Sequence, residues 1–244
     1  MTIDKDGFTP RGPSREKVWQ MFDRIAGRYD LLNRLLSFRQ DVRWRKKLVQ
    51  HFPSSKGLQM LDLATGTADV LLSLFKQSEN LERGVGIDMA REMLKFGRKK
   101  VQKEQKDNQI VLYPADAMYL PFRDNSFHLV TIAFGIRNVL DLNKGLGEMN
   151  RVLQKGGRLL VLEFSLPQNR WFRKIYLFYF RKILPVLGGI ISGDMLAYNY
   201  LNKTVETFPY GEEFCNLMQE AGFSEVKFVP LTFGIASIYI GEKN

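Results

Sequence analysis

Between Gly57 and Glu163, short apolar segments rich in branched residues alternate with stretches of helical periodicity, and this alternation constrains the fold more than any other feature. Gly57 to Leu63, Gly84 to Asp88, Ile110 to Tyr113, Leu129 to Ala133 and Arg158 to Glu163 have the length and apolar character of strands covered on both faces. Asp69 to Gln77, Ala90 to Gln105 and Leu142 to Leu153 read as the helices between them. Such an order predicts a doubly wound, mostly parallel sheet. After Glu163 the alternation stops. Asn169 to Thr207 reads as two or more inserted helices and Glu212 to Ala221 as another. Glu225 to Leu231 and Ile235 to Gly241 read as an antiparallel hairpin about Thr232, Phe233 and Gly234. The expected fold is therefore an α/β protein with a seven-stranded sheet, five strands parallel and two in a terminal hairpin. Before Ser54 the spacing of Val18, Phe22, Ile25, Tyr29, Leu32, Leu35 and Leu36 is helical. A single domain is expected: helical cap 1–53, core 54–166, insertion 167–207, and closing helix and hairpin 208–244.

Composition matters chiefly for where the charge lies. Of the formal net charge of +10, residues 1–56 carry +7 and residues 169–203 carry +5; 57–168 carries +2 and the remainder −4. Two basic segments suit an anionic lipid face or nucleic acid, or are the solvated surface of ordinary helices. Cys215 is the only cysteine, so one chain can form neither a disulfide nor a thiolate metal cluster. No metal is expected, and a cytoplasmic location fits best. Met1 to Pro13 lacks the apolar run of a signal peptide, and no uncharged stretch approaches the ~20 apolar residues that span a bilayer.

The segment from Met60 to Asp69 runs an apolar strand through the small residues Ala64, Gly66 and Ala68 into a helix, where a ligand carboxylate can meet free N–H groups. Some twenty residues on, Asp88 ends the second strand, placed to accept from both hydroxyls of a ribose or to cap the following helix. Ala115, Asp116 and Ala117 follow the third strand. A carboxylate there can accept from an adenine amine while its small neighbours make room for the ring. Ala64, Gly66 and Ala68 follow the dinucleotide-binding glycine rhythm only loosely, and no Gly-Lys-Ser/Thr follows the turn. An adenosyl cofactor without pyrophosphate fits better than a nicotinamide or a nucleoside triphosphate.

The chain also resembles the ubiquinone/menaquinone biosynthesis C-methyltransferase family over nearly its whole length. The resemblance lies in Met21-Phe22-Asp23-Arg24-Ile25-Ala26, Arg28-Tyr29-Asp30-Leu31-Leu32-Asn33 and Leu35-Leu36-Ser37-Phe38. It continues in Leu120-Pro121-Phe122, Asp124-Asn125-Ser126-Phe127, Phe134-Gly135-Ile136-Arg137-Asn138-Val139 and Leu162-Glu163-Phe164-Ser165. It implies a Rossmann-like methyltransferase sheet and S-adenosylmethionine as cofactor, with family binding positions falling on Thr67, Asp88, Asp116 and Ala117. The full expected donor set is Ala64, Gly66, Thr67, Asp88, Met89, Asp116, Ala117 and Ala133. Departures from the family pattern are Ala68 in place of glycine, Ala133 in place of a frequent serine, His128 in place of aspartate, and no proline in Lys155-Gly156-Gly157. His128 is read as structural.

The resemblance further implies methylation of a ring carbon of an isoprenoid quinol, demethylmenaquinol first, with a polyprenyl methoxy-benzoquinol of ubiquinone synthesis as the alternative. Such chemistry needs an electron-rich ring, so Arg137 at the edge of the sheet is expected to stabilise a developing phenolate, unless it pairs structurally with a carboxylate. Asn138 is expected to orient the ring or a water, or else to cap the next helix. Tyr29 and Asp30, on the helical cap, are candidate proton relays, and Tyr29 and Asn33 share a helix face. Trp171, Phe172, Tyr176, Phe178, Tyr179 and Phe180 interleave with Arg170, Arg173, Lys174, Arg181 and Lys182 ahead of apolar Ile183 to Ile191. That pattern favours transient contact with an anionic membrane; a cover for the sheet or a homodimer contact is the alternative. Nucleic acid is not expected as a partner, because no Asn/Asp-Pro-Pro-aromatic motif follows the fourth strand. A soluble small-molecule methyltransferase would have no need of the aromatic insertion. A non-catalytic scaffold would have no need of Asp88, Asp116 and Arg137 together.

Overall fold

A computed structural model describes residues 8–9, 12–13, 17–186 and 195–244. Most of the Met1 to Pro13 stretch, and residues 187–191 of the apolar run, lie outside the described residues. The sheet strands are β1 Leu58–Leu63, β2 Leu81–Asp88, β3 Ile110–Pro114, β4 Phe127–Ala133, β5 Leu153–Phe164, β6 Phe223–Leu231 and β7 Ala236–Lys243. Their order across the sheet is β3-β2-β1-β4-β5-β7-β6. Neighbours from β3 to β5 are parallel, while β7 runs antiparallel to both β5 and β6. This is the expected seven-stranded arrangement. The chain winds outward from β1 to β3 and then returns to β4 on the other side of β1, so a crevice opens above the carboxyl ends of β1 and β4.

The helices are α1 Val18–Leu36, α2 Gln40–Lys47, α3 Asp69–Phe75, α4 Arg91–Lys103, α5 Leu142–Val152, α6 Arg170–Phe178, α7 Met195–Thr207 and α8 Glu212–Glu220. Leu71, Leu74 and Phe75 of α3 and Leu94 and Val101 of α4 pack on one face of the sheet with Trp44 and Leu48. Leu146, Met149 and Val152 of α5 and Phe214 and Met218 of α8 cover the other. Glycine sets how closely α3 approaches: a Cβ on Gly84 would meet Phe75 at 2.7 Å, and one on Gly86 would meet Leu71 at 2.8 Å. A third apolar cluster lies off the sheet, where Val18, Met21 and Leu32 of α1 pack with Tyr176, Phe180, Leu184, Tyr200 and Val205 of the insertion.

Three features depart from the sequence reading. The helical pattern before Ser54 is broken: Phe38 and Arg39 take left-handed φ of 50° and 60°, and α2 sets off in a new direction. Strand β5 starts five residues earlier than Arg158, because Leu153 pairs with Phe127 before a register shift that accommodates Gly156 at φ 72°. Helix α6 runs into a π-turn, Tyr179–Ile183, and residues 184–186 continue as helix. Among the described residues no helix is long and apolar enough to cross a membrane.

Candidate active site

The turn after β1 is held from beneath. Asp62, only 1% exposed, accepts from Thr65 Oγ1 at 2.6 Å and from Thr131 Oγ1 of β4 at 2.5 Å, joining the two strands at the switch point. Burial raises its carboxyl to about 6 although both hydroxyls work the other way. Above it Ala64, Gly66 and Ala68 all have positive φ, of 48°, 56° and 63°. An alanine in the left-handed region costs roughly 1–2 kcal/mol, so Ala64 and Ala68 are held there by the surrounding turn.

Asp88 joins the two turns on either side of it. Its Oδ2 accepts from the Gly66 N–H at 2.8 Å and its Oδ1 from the Ala90 N–H at 2.8 Å, tying the first turn to the start of α4. Burial raises this carboxyl to about 6 against the pull of those N–H groups. Asp88 faces a 140 Å³ cavity with Gly66, Met89, Asp116, Ala117 and Ala133, and Ala64 joins the same wall. Asp116 Oδ1 accepts from the Met118 N–H at 2.8 Å, which fixes the loop after β3. Helix α1 closes the cavity with Val18, Trp19, Phe22 and Tyr29.

Two expected residues lie beside this cavity and do not line it. Thr67, 2% exposed, donates to Asp30 Oδ1 at 2.6 Å and receives Lys100 Nζ at 2.8 Å. Lys100 also ion-pairs with Asp30 and, at 2.5 Å, with Asp69. Arg45 and Arg34 reach Asp69 at 3.2 and 3.4 Å. Burial alone would raise the Asp69 carboxyl, but Lys100 and Arg45 outweigh it and hold it below the usual range. Asp30 thereby latches α1 to the turn after β1 and to α4.

A second cavity of 330 Å³ lies against the first, bounded by α1, α2, the insertion and the carboxyl ends of β4 and β5. Its lining is mainly aromatic and aliphatic, including Ile25, Leu32, Trp44, Phe134, Phe164, Tyr176 and Phe180. Phe22, Tyr29 and Phe134 line both cavities. Tyr29 and Asn33 face the second together, as their spacing implied. Burial raises the Tyr29 hydroxyl, with Asn33 and Arg137 pulling against it.

Arg137, 5% exposed, lines the second cavity and is paired with a carboxylate. Nη1 donates to Glu163 Oε1 at 2.7 Å and to the Phe134 carbonyl at 2.5 Å, whereas Nε has no partner among the described residues. Burial raises the Glu163 carboxyl against the opposing effect of Arg137. Asn138 lines the smaller cavity and its Oδ1 accepts from Tyr200 of the insertion at 3.0 Å. It does not cap the next helix; Asp141 does, accepting from the Lys144 N–H at 3.0 Å. His128 Nδ1 accepts from the Gln59 N–H at 3.1 Å, the structural role expected of it.

The profile of the ubiE/COQ5 methyltransferase family matches residues 12–243. The chain belongs to this family. A Geobacter sulfurreducens protein named ubiquinone/menaquinone biosynthesis C-methyltransferase UbiE is 48% identical over 228 residues, covering 93% of this chain and 89% of that one. A Thermus thermophilus protein named demethylmenaquinone methyltransferase is 48% identical over 223 residues, covering 91% and 100%. The crystal structure of a SAM-dependent methyltransferase from Thermotoga maritima superposes with a TM-score of 0.67 at 20% identity, covering 93% of this chain and 100% of that one. That likeness is one of fold. The expected fold class and methyltransferase family are thus both found.

The sequence reading placed Tyr29, Asn33 and Arg137 near the site but missed Asp41, Trp44 and Arg45, which also line the second cavity. Asp41, Trp44 and Arg45 belong to a stretch dense in Lys and Arg that looks like a solvated face, and nothing local marks them as buried. Asp62 carried a weak signal, a lone carboxylate inside an apolar strand.

Proposed function

We propose that the chain transfers a methyl group from S-adenosylmethionine to a ring carbon of an isoprenoid quinol, with demethylmenaquinol, a polyprenyl naphthoquinol, as the acceptor. The observation that carries this reading is the adjacency of a small cavity edged by Asp88 and Asp116 to a larger, aromatic-lined one, with Phe22, Tyr29 and Phe134 in both walls. The larger volume falls within the roughly 300–1,000 Å³ typical of ligand pockets. The names of the Geobacter and Thermus relatives agree with a quinone-type acceptor.

The residues of the smaller cavity fit the donor. A carboxylate already satisfied by two backbone N–H groups keeps lone pairs for a ribose diol, Asp116 is an acceptor for an adenine amine, and Ala117 and Ala133 leave room beside it. When bound, S-adenosylmethionine supplies an electrophilic methyl group. At the acceptor, Arg137 holds the developing phenolate through the side of its guanidinium that Glu163 does not occupy, within a mainly apolar wall. Tyr29, kept as a phenol by burial, serves as a hydrogen-bond donor at the boundary of the two cavities. Asp30 acts as a latch for the cap, because Thr67 and Lys100 engage its carboxylate.

The tail leaves past Tyr179 and Phe38, which is 74% exposed. Nearby, Trp171, Ile175 and Phe178 recur along α6 as an exposed apolar stripe flanked by exposed Arg170, Lys174, Arg181 and Lys182. A basic and aromatic surface of this kind suits peripheral contact with an anionic bilayer. The test supplies demethylmenaquinol in anionic liposomes under reducing, anaerobic conditions with labelled S-adenosylmethionine. Label in the quinone fraction is expected. Donor binding without transfer to either a reduced naphthoquinol or a reduced benzoquinol would refute the reading.

A further inference from the structure

The smaller cavity is rich in acceptors and short of donors. Asp88 and Asp116 bring carboxylates to it, while the N–H groups that fix them are engaged: Gly66 and Ala90 donate to Asp88, and Met118 donates to Asp116. The Thr67 hydroxyl donates to Asp30. S-adenosylmethionine carries hydroxyls and an amine that donate, but also a carboxylate and ring nitrogens that accept. The lining side chains able to meet those acceptors are Trp19 and Tyr29 of α1 and Asn138 after β4.

Asn138 closes a single helical turn, Ile136–Asn138, that follows a close approach to the turn after β1: a Cβ on Gly135 would run into that of Ala64. Ile136 is fully buried and Arg137 is paired with Glu163, so both anchor this turn. The Asn138 side chain is held from outside the sheet. Tyr200 of α7 is 5% exposed, packs with Val18, Met21 and Leu32 of α1, and lines the larger cavity. Its hydroxyl donates to Asn138 Oδ1 at 3.0 Å. On the other arm of the amide, Nδ2 has no hydrogen-bond partner among the described residues and, unlike Arg137 Nε, is not a buried atom.

We infer that Tyr200 is a positioning residue for the methyl donor: by holding Asn138 Oδ1 it leaves Nδ2 to the smaller cavity, where Nδ2 donates to an acceptor atom of S-adenosylmethionine. The inference rests on the proposed donor. An amide can present either its oxygen or its N–H groups. In a cavity already lined by two carboxylates only the N–H groups are useful, and the Tyr200 hydroxyl settles that choice by donating to the oxygen. One helix of the insertion thus reaches the donor through a residue that lines the other cavity.

The experiment is calorimetry of S-adenosylhomocysteine, which keeps the acceptor atoms of the donor, on the full chain: unaltered, Tyr200→Phe, Asn138→Ala and the double variant. Tyr200→Phe removes only the hydroxyl and keeps the ring in the wall of the larger cavity. Loss of a neutral hydrogen bond weakens binding about fivefold, so N138A is expected to lose about that much and Y200F about threefold or more, with affinity for a short-tailed reduced naphthoquinone held within about twofold. Because Tyr200 acts through Asn138, Y200F has no further effect in the N138A background. An equal loss on Y200F in both backgrounds, which a merely structural role produces, overturns the inference, as does unaltered affinity in either single variant. Unaltered affinity in N138A with diminished turnover places Asn138 at the acceptor ring and also overturns it. Absence of binding by the folded, unaltered protein sinks the donor reading as well. Should Y200F not fold, Asn138→Asp keeps an acceptor for Tyr200 and replaces Nδ2 by an oxygen. That variant must weaken binding about tenfold or more, and unaltered affinity overturns the proposal.

Discussion

The two adjoining cavities are made of different material. The smaller is cut into the sheet edge: its polar groups, Asp88 and Asp116, stand at or just beyond strand ends, and backbone N–H groups fix both. The larger is assembled outside the sheet by α1, α2 and the insertion, and its few charges, Arg137 with Glu163 and Asp41 with Arg45, are paired within an apolar wall. On the proposed function, the contrast assigns donor binding to the sheet and the choice of acceptor to the added helices. Among the described residues only Phe22, Tyr29 and Phe134 belong to both cavities, so substitutions elsewhere should damage one function and spare the other.

The sharpest way to break that separation is at Arg137. Replacing it by Met leaves Glu163, 0% exposed, without its counter-charge, and an abandoned buried partner typically costs about 3–5 kcal/mol. The single variant therefore confuses stability with chemistry. In Arg137→Met/Glu163→Gln the pair is removed together, so the thermal midpoint should recover most of the loss, while turnover stays down by roughly 10²–10³-fold, as for other lost transition-state donors. Donor affinity should remain within a few-fold. Full turnover in the double variant would assign Arg137 a structural role alone.

Asp88 tests the other cavity, with a somewhat smaller effect. Asp88→Ala removes the acceptor for two backbone N–H groups and for the ribose, and should weaken S-adenosylmethionine binding about a hundredfold while leaving affinity for a short-tailed reduced naphthoquinone nearly unchanged. Acidity offers a milder form of the same test. Because burial lifts Asp88 to about 6, the free protein takes up a proton below that pH, and donor binding must displace it. Calorimetry should show affinity flat above about pH 6 and falling by up to about tenfold per unit below. The sign for folding is the reverse. Asp88 and Asp62 bind protons more tightly in the folded chain than in the unfolded one, so their contribution to stability is fully present below the ordinary carboxylate value and is lost as pH rises through about 6. Between about pH 7 and pH 5 these two carboxyls should therefore add stability as donor affinity falls.

The same division explains what could be read in the sequence. The central strands were legible because both faces of the sheet are covered there, which writes burial into consecutive residues, whereas edge strands β3 and β6 were legible from their branched and apolar residues and the turn between the last two. Asp88 and Asp116 were expected at strand ends, and the structure places both on the wall of the smaller cavity. The larger cavity was not, since its walls join helices far apart in the chain and their inward faces are specified by partners. Phe38-Arg39 breaks the helical cap with neither glycine nor proline, so no local signal marks the turn that starts α2. Asp62 depends on Thr131, 69 residues away. Arg137 and its paired carboxylate were recognised as alternatives, and the structure brings the two readings together: the same guanidinium is paired with Glu163 and faces the cavity.

The smallest expected effect is the most discriminating for the boundary between the regions. Asp30 belongs to the cap, but Thr67 and Lys100 join it to the turn beneath the donor. Asp30→Asn keeps an acceptor for Thr67 and removes the charge facing Lys100, which still has Asp69. A partly exposed pair of this kind contributes up to about 1 kcal/mol. As a latch, Asp30 should therefore affect donor affinity about fivefold or less and speed amide exchange along α1, with turnover at saturating donor scarcely altered. A proton relay would behave in the opposite way: donor affinity would hold, while turnover would fall by roughly 10²-fold or more and lose a titration from its pH profile. Measuring both parameters on one variant decides whether the cap contributes a reacting group or only closes the site. The latch is favoured because the described partners of Asp30, Thr67 and Lys100, lie beside the smaller cavity and Asp30 lines neither cavity.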